Sequence, residues 1–187
     1  MIEWLISIDE KLLLAINGWQ GGFLDGFFLF VTNKHNWLPL YLFLILFMWW
    51  ERGWKKMLLF SVASILVVAT ADLVSVHLFK EVFQRLRPCH QEHLMGLVNT
   101  IGGKCGGQYG FVSSHASNHF ALGIWFAFVF KTNFNFPRCP FIVWAFLIAL
   151  SRVYLGVHFP GDVIVGGLVG AFIGGIYFGV FKKLGWV

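Results

Sequence analysis

Long apolar runs broken by short polar interruptions set the character of this chain. Six runs read as candidate membrane helices, at about 21–32, 37–50, 57–79, 111–130, 141–157 and 161–181. The runs at 57–79 and 161–181 are long enough to cross a hydrocarbon layer of about 30 Å at about 1.5 Å per helical residue. The first run is short and carries Asp25, so it is expected to borrow a turn from the segment before it. That segment, residues 1–20, mixes Glu3, Asp9, Glu10 and Lys11 with apolar residues and lacks the basic start of a cleaved signal. It reads as an interfacial amphipathic helix. The pattern predicts an all-α, polytopic membrane helix bundle in one domain, with about six transmembrane helices plus the N-terminal interfacial helix.

Composition agrees with that reading. Of 187 residues, 58% are hydrophobic and 12% charged, and the mean hydropathy is +0.72. Soluble domains carry about 25% charged residues, so a soluble core is the poorer explanation. Trp37, Trp49, Trp50, Trp54 and Trp186 fall near predicted span ends, where indoles prefer to sit. The net charge of +5 shows no basic–aromatic face of the kind that binds nucleic acid.

The basic residues suggest a direction. Arg52, Lys55, Lys56, Lys131, Arg138, Lys182 and Lys183 collect on one side of the predicted spans. The positive-inside rule places that side, and with six crossings both termini, in the cytoplasm. The long loop 81–110 and the turn between the last two spans then face outward. All the polar clusters fall on that outer side.

The first cluster runs from Lys80 to Pro88. Lys80 and Arg87, seven residues apart, are expected to project from one helical face, with Pro88 ending the helix. Arginine offers a fork for phosphate oxygens and lysine a compact charge. Arg85 reads as a snorkelling interfacial cation. The second cluster is Ser113-Ser114-His115 ahead of an apolar helix. Hydroxyls and free N–H groups there suit an anion as well as an ordinary cap, and His115 would stand beside that anion as an acid. His115 and His119 form an H-x-x-x-H pair but lack the glutamate of a zinc motif. No metal is expected, and His119 reads as packed. Asp25 and Asp72 read as structural groups within apolar spans.

The third cluster, at 151–162, sets Ser151, Arg152, His158 and Asp162 among apolar residues and glycine. Such groups are costly in hydrocarbon and mark candidate reaction sites. An imidazole followed four residues later by a carboxylate is a nucleophile or base with its orienter, or a structural hydrogen bond at a helix entry.

Together the clusters resemble the three-part signature of the type 2 phosphatidic acid phosphatase family, whose fold is shared with vanadium haloperoxidases. K-x6-R-P matches at Lys80, Arg87 and Pro88, and S-R-x5-H-x3-D at Ser151, Arg152, His158 and Asp162. The family's P-S-G-H corresponds to Val112-Ser113-Ser114-His115, with valine for proline and serine for glycine. The resemblance covers a catalytic core at about 57–181. It implies that His158 attacks phosphorus to give a phosphohistidine, with Asp162 orienting it. His115 protonates the leaving oxygen, and Lys80, Arg87, Ser113, Arg152 and the Ser114 backbone hold the phosphate. No metal or other cofactor is implied.

A membrane setting points to a lipid phosphate substrate and membrane lipids as the partners. Candidates are a polyprenyl diphosphate such as undecaprenyl diphosphate, phosphatidylglycerol phosphate, phosphatidic acid or a lipid A phosphate, the first or a glycerophospholipid being preferred. The expected location is a bacterial-type inner membrane with the site on the periplasmic face. Alternatives are a lipid phosphotransferase and a non-catalytic lipid-binding or transport protein. Cys89 and Cys105 share the outer loop and are expected to pair in an oxidising periplasm, which would contribute about 3 kcal/mol.

Overall fold

A segment in hydrocarbon must satisfy its own backbone groups, so the apolar runs become helices. The computed structural model describes residues 2–186. Helix α1 spans Ile2–Asn17, α2 Gly22–Thr32 and α3 Leu38–Leu73. A widened π-helical stretch, Val74–Lys80, carries α3 on into the short α4, Glu81–Phe83. After the long loop come α5 Ser114–Phe134, α6 Cys139–Tyr154 and α7 Pro160–Lys183. Among the described residues the β structure is a single antiparallel bridge, Leu86 to Tyr109.

Gly53 folds α3 into two limbs, 38–52 and 54–73. Its φ of 78° is one that glycine adopts without strain. Glu51, Arg52, Lys55 and Lys56 crowd that bend. Helix α5 lies at the centre of the bundle, burying Trp125, Phe126, Val129 and Phe130 against Phe60, Phe141 and Trp144. Helix α7 approaches α5 along Gly166, Gly170 and Gly174, where a Cβ would strike the carbonyls of Ser113, Ser117 and Ala121. Between membrane helices, small residues allow this close backbone approach. It brings the start of α7 against the start of α5, and the amide of Ser113 donates to the carbonyl of Asp162 at 3.0 Å.

The all-helical membrane architecture is as expected, but two details differ. Helix α2 has 11 residues, about 16 Å of helix, too short to cross alone. It packs instead at the end where α6 finishes. Phe28 lies 4.2 Å from the ring of Tyr154, and Arg152 donates to Thr32 Oγ1 at 2.6 Å.

Helix α1 lies at that same end. Asn17 Nδ2 donates to the carbonyls of Tyr154 at 2.7 Å and Asn99 at 2.9 Å, and Leu13 is fully buried. The C-terminal segment is at the other end, where Lys56 Nζ donates to the carbonyl of Trp186 at 2.7 Å. Helix α1 and the segment ending at Trp186 therefore lie at opposite ends of the bundle. This departs from the expected placement of both termini on one face, because the first apolar run stays at the end where it begins.

Candidate active site

Every cluster singled out from the sequence lies at the end shared by α1 and α2. The residues of the first cluster do not share a helical face as expected. Gln84 takes a left-handed conformation, φ 47°, and ends the helix before Arg87 and Pro88 are reached. Arg87 sits instead in an extended strand-like turn, with its amide on the Gln108 carbonyl at 3.1 Å and the Gly110 amide on the Arg85 carbonyl at 2.8 Å. The loop thus folds back on itself and turns Arg87 inward. Cys89 and Cys105 meet as a disulfide across the same loop, with Cα atoms 6.2 Å apart. The next residue, Gly106, lies against the Arg87 guanidinium; a Cβ there would be 3.5 Å from Cζ.

Lys80 ends the π-helical stretch, a distortion common at functional sites. Its Nζ donates to Ser114 Oγ at 2.6 Å, and buried Ser75 bonds the same hydroxyl at 2.7 Å. The serine that stands in the family's glycine position therefore ties α5 to the end of α3. Ser113 caps α5, its Oγ accepting from the Ala116 amide at 3.5 Å. His115 and His119 stack at 6.2 Å, and His119 Nδ1 donates to the His115 carbonyl at 2.7 Å. With Trp144 on its other side at 5.3 Å, His119 is packed rather than poised as a ligand. Asp25 accepts from the Tyr154 hydroxyl and Asp72 from Asn118 Nδ2, so both carry hydrogen bonds between helices.

The third cluster is the tightest. His158 lies in the buried turn between α6 and α7, 1% exposed, and Asp162 is fully buried in the first turn of α7. Arg87 Nη1 reaches His158 Nε2 at 2.8 Å and the Val157 carbonyl at 3.2 Å. A guanidinium can only donate, so Nε2 accepts and the ring proton sits on Nδ1. Nδ1 faces Asp162 Oδ2 at 3.4 Å, and the same oxygen takes the Phe159 amide at 3.1 Å. Arg152 reaches Thr32, while its Nε and that of Arg87 are buried without a partner. Ser151 bonds within its helix, to the Ile148 carbonyl at 2.6 Å.

Arg85 is the residue that sequence reasoning missed. It does not snorkel. Its Nη1 donates to Asp162 Oδ1 at 2.8 Å, its Nη2 to Asp9 Oδ2 at 2.7 Å, and its plane covers the Phe159 ring at 4.1 Å. The one available signal was Asp9, an acid in a largely apolar helix, but 76 residues separate it from its partner.

Burial, and then the charges of Arg87, Arg152 and Lys80, hold the His158 pKa well below 6.5. The imidazole is therefore a neutral base with its Nε2 lone pair intact. A stability consequence follows. An unfolded chain protonates this histidine near pH 6.5, whereas the folded chain resists until lower pH. Its stabilising contribution is thus full above about pH 6.5 and is lost as pH falls below it, by up to about 1.4 kcal/mol per pH unit. Melting of the detergent-solubilised protein between pH 7 and 5 is expected to fall less steeply for His158→Gln than for the parent. Parallel slopes would refute the neutral assignment.

Residues 58–186 match the family model described as PAP2 superfamily. The chain is 36% identical over 98% of its length to a lipid A 4'-phosphatase of Bacteroides thetaiotaomicron, covering 81% of that protein. It is 32% identical over 96% of its length to a lipid A 4'-phosphatase of Porphyromonas gingivalis, covering 75% of it. The fold resembles a transmembrane PAP2-type phosphatidylglycerolphosphate phosphatase from Bacillus subtilis, with a TM-score of 0.76, 25% identity, and coverage of 96% of this chain and 87% of the other. It also resembles LpxE from Aquifex aeolicus, with a TM-score of 0.61, 24% identity, and coverage of 89% and 92%, a likeness of fold alone. With three charged clusters at one end of an all-helical membrane bundle and relatives matched along nearly its whole length, the chain is a membrane lipid phosphatase belonging to the PAP2 superfamily.

Proposed function

We propose that this chain hydrolyses a phosphate ester of lipid A through a phosphohistidine on His158. The observation that carries the chemistry is the His158 ring, whose Nδ1–H faces Asp162 and whose Nε2 lone pair is held by Arg87. A phosphate arriving at the site offers Arg87 a better acceptor than a neutral ring, because an ionised oxygen bonds a guanidinium more strongly. Arg87 then grips phosphate and frees Nε2. The lone pair attacks phosphorus, the P–O bond to the lipid breaks, and His115 protonates the departing oxygen. Water, deprotonated by His115, cleaves the P–N bond and releases phosphate. Lys80, Arg87, Arg152, Ser113 and the Ser114 amide hold the nonbridging oxygens, whose charge grows in the transition state. Neither step calls on a metal.

Two observations favour a lipid with several tails. An apolar groove of about 500 Å³ between the limbs of α3 and α5 is lined by Leu44, Ile65, Val68 and Phe126 and ends at Asp72. A second, of about 460 Å³, runs between α1 and α7 and reaches Arg85. Lipid A phosphate therefore displaces polyprenyl diphosphate and glycerophospholipids as the preferred substrate, since the two relatives matched along nearly the whole chain are lipid A 4'-phosphatases.

The site is assigned to the outer face of a bacterial-type inner membrane. Arg52, Lys55, Lys56, Lys131, Arg138, Lys182 and Lys183 mark the end remote from it. The C-terminus is then cytoplasmic and α1 lies on the outer surface.

The test is phosphate release by purified protein in chelator from lipid A bis-phosphate, phosphatidylglycerol phosphate, phosphatidic acid and undecaprenyl diphosphate. The highest kcat/KM is expected on lipid A, with mass spectrometry locating the loss at the 4' position. A higher kcat/KM on any other lipid, or a requirement for added metal, would overturn the assignment.

A further inference from the structure

Asp9 and Arg85 form an ion pair at the site end that the proposed chemistry leaves unused, and Arg85 touches its orienting carboxylate. Arg85 is fixed on three sides, by Asp9, by Asp162 and by the Phe159 ring. The other oxygen of Asp9 takes the Gly161 amide at 2.7 Å, one of the N–H groups that the first turn of α7 leaves without a helical partner. Gly161 is shaped for this contact, since a Cβ there would come within 2.9 Å of Asp9 Oδ2. One carboxylate thus holds both the guanidinium and the helix end that bears Asp162.

Asp162 divides its two oxygens between different tasks. Oδ1 takes Arg85, while Oδ2 takes the Phe159 amide and faces His158 Nδ1. A carboxylate turning about its Cβ–Cγ bond would lose that aim, and the bond from Arg85 sets the rotation. We propose that Asp9 and Arg85 are positioning residues for phosphoryl transfer, clamping Asp162 so that its other oxygen orients His158. The proposal rests on the lipid phosphatase reading above, and it makes α1, which lies outside residues 58–186, part of the catalytic unit.

A simple strut fixing α1 to the bundle would use the same ion pair, but α1 has its own anchors. Leu13 is fully buried, and Asn17 bonds Tyr154 and Asn99 through three hydrogen bonds. Weakening the Asp9–Arg85 pair should therefore leave α1 docked while loosening Asp162.

The discriminating variants are Asp9→Asn, which keeps an oxygen for Gly161, and Arg85→Lys, which keeps the charge but loses the fork. On lipid A bis-phosphate each is expected to lower kcat by about 10–100-fold with KM changed less than about two-fold, because misplacing a reacting group costs rate rather than binding. The double variant should lose no more than the worse single variant, since both act through Asp162. Melting temperatures should stay near the parent value. Unchanged kcat in both variants, multiplying losses, or a melting temperature that falls in step with activity would overturn the positioning role. A parent protein inert on every lipid phosphate would instead sink the phosphatase reading and this inference with it.

Discussion

Alanine at position 158 is expected to abolish phosphate release, lowering kcat by about 10⁴-fold or more, as loss of a covalent nucleophile does elsewhere. The size of the effect follows from what the neighbours cannot supply. Lys80, Arg87 and Arg152 are cations and donors only, able to bind phosphate but not to attack it. Asp162 is fully buried, with both oxygens engaged by Arg85, Phe159 and His158. His115 lies in the first turn of α5, where the proposed chemistry gives it the acid role, and His119 is packed against Trp144. Removing the His158 ring leaves Arg87 with the Val157 carbonyl and with its charge, so phosphate binding should persist. The measurement is kcat on lipid A bis-phosphate for parent and His158→Ala, with phosphate inhibition of the parent and retention of phosphate by the variant as the binding control. Turnover within about ten-fold of the parent would remove His158 as nucleophile.

What the sequence disclosed here depended on the range of each interaction. The spans were legible because hydrocarbon imposes an apolar composition over whole helices, and the candidate residues because charged groups stand out against it. The His158–Asp162 pair was legible because both partners fall within one turn of chain. Arg85 was not: its partners, Asp9 and Asp162, lie 76 and 77 residues away, and a lone arginine near a span end looks like an interfacial anchor. The hydroxyl of Ser114 was likewise hidden. In the sequence it is only a serine standing where the family has glycine, and the fold shows it bridging Ser75 and Lys80. The placement of the N-terminus was misread for a related reason. An apolar run says that a segment prefers hydrocarbon, but whether α2 crosses or stays depends on Tyr154 and Arg152, which are far from it in sequence.

Asparagine at position 162 is the sharpest test of how His158 is held, and a loss of about 10²–10⁴-fold in kcat is expected, the upper figure being that of a triad aspartate made asparagine. Asp162 faces donors on both sides. Arg85 Nη1 donates to Oδ1 at 2.8 Å, and the Phe159 amide donates to Oδ2 at 3.1 Å with His158 Nδ1 beyond it at 3.4 Å. A carboxylate accepts on both oxygens, but an amide accepts on one and donates from the other. If the asparagine oxygen serves Arg85, its NH₂ confronts the Phe159 amide and His158 Nδ1–H. If it serves that side instead, the NH₂ confronts the partly buried Arg85 guanidinium, which keeps Asp9 alone as its partner, a costly arrangement. The first choice also rewards moving the ring proton from Nδ1 to Nε2, where it would block attack on phosphorus. Glutamine at position 85 relieves the second conflict, because its own amide can turn an oxygen toward the asparagine NH₂. Arg85→Gln in the Asp162→Asn background should therefore recover part of the lost stability while leaving kcat low. Recovery of kcat itself would mean that Asp162 serves the Arg85 pair and not the His158 ring.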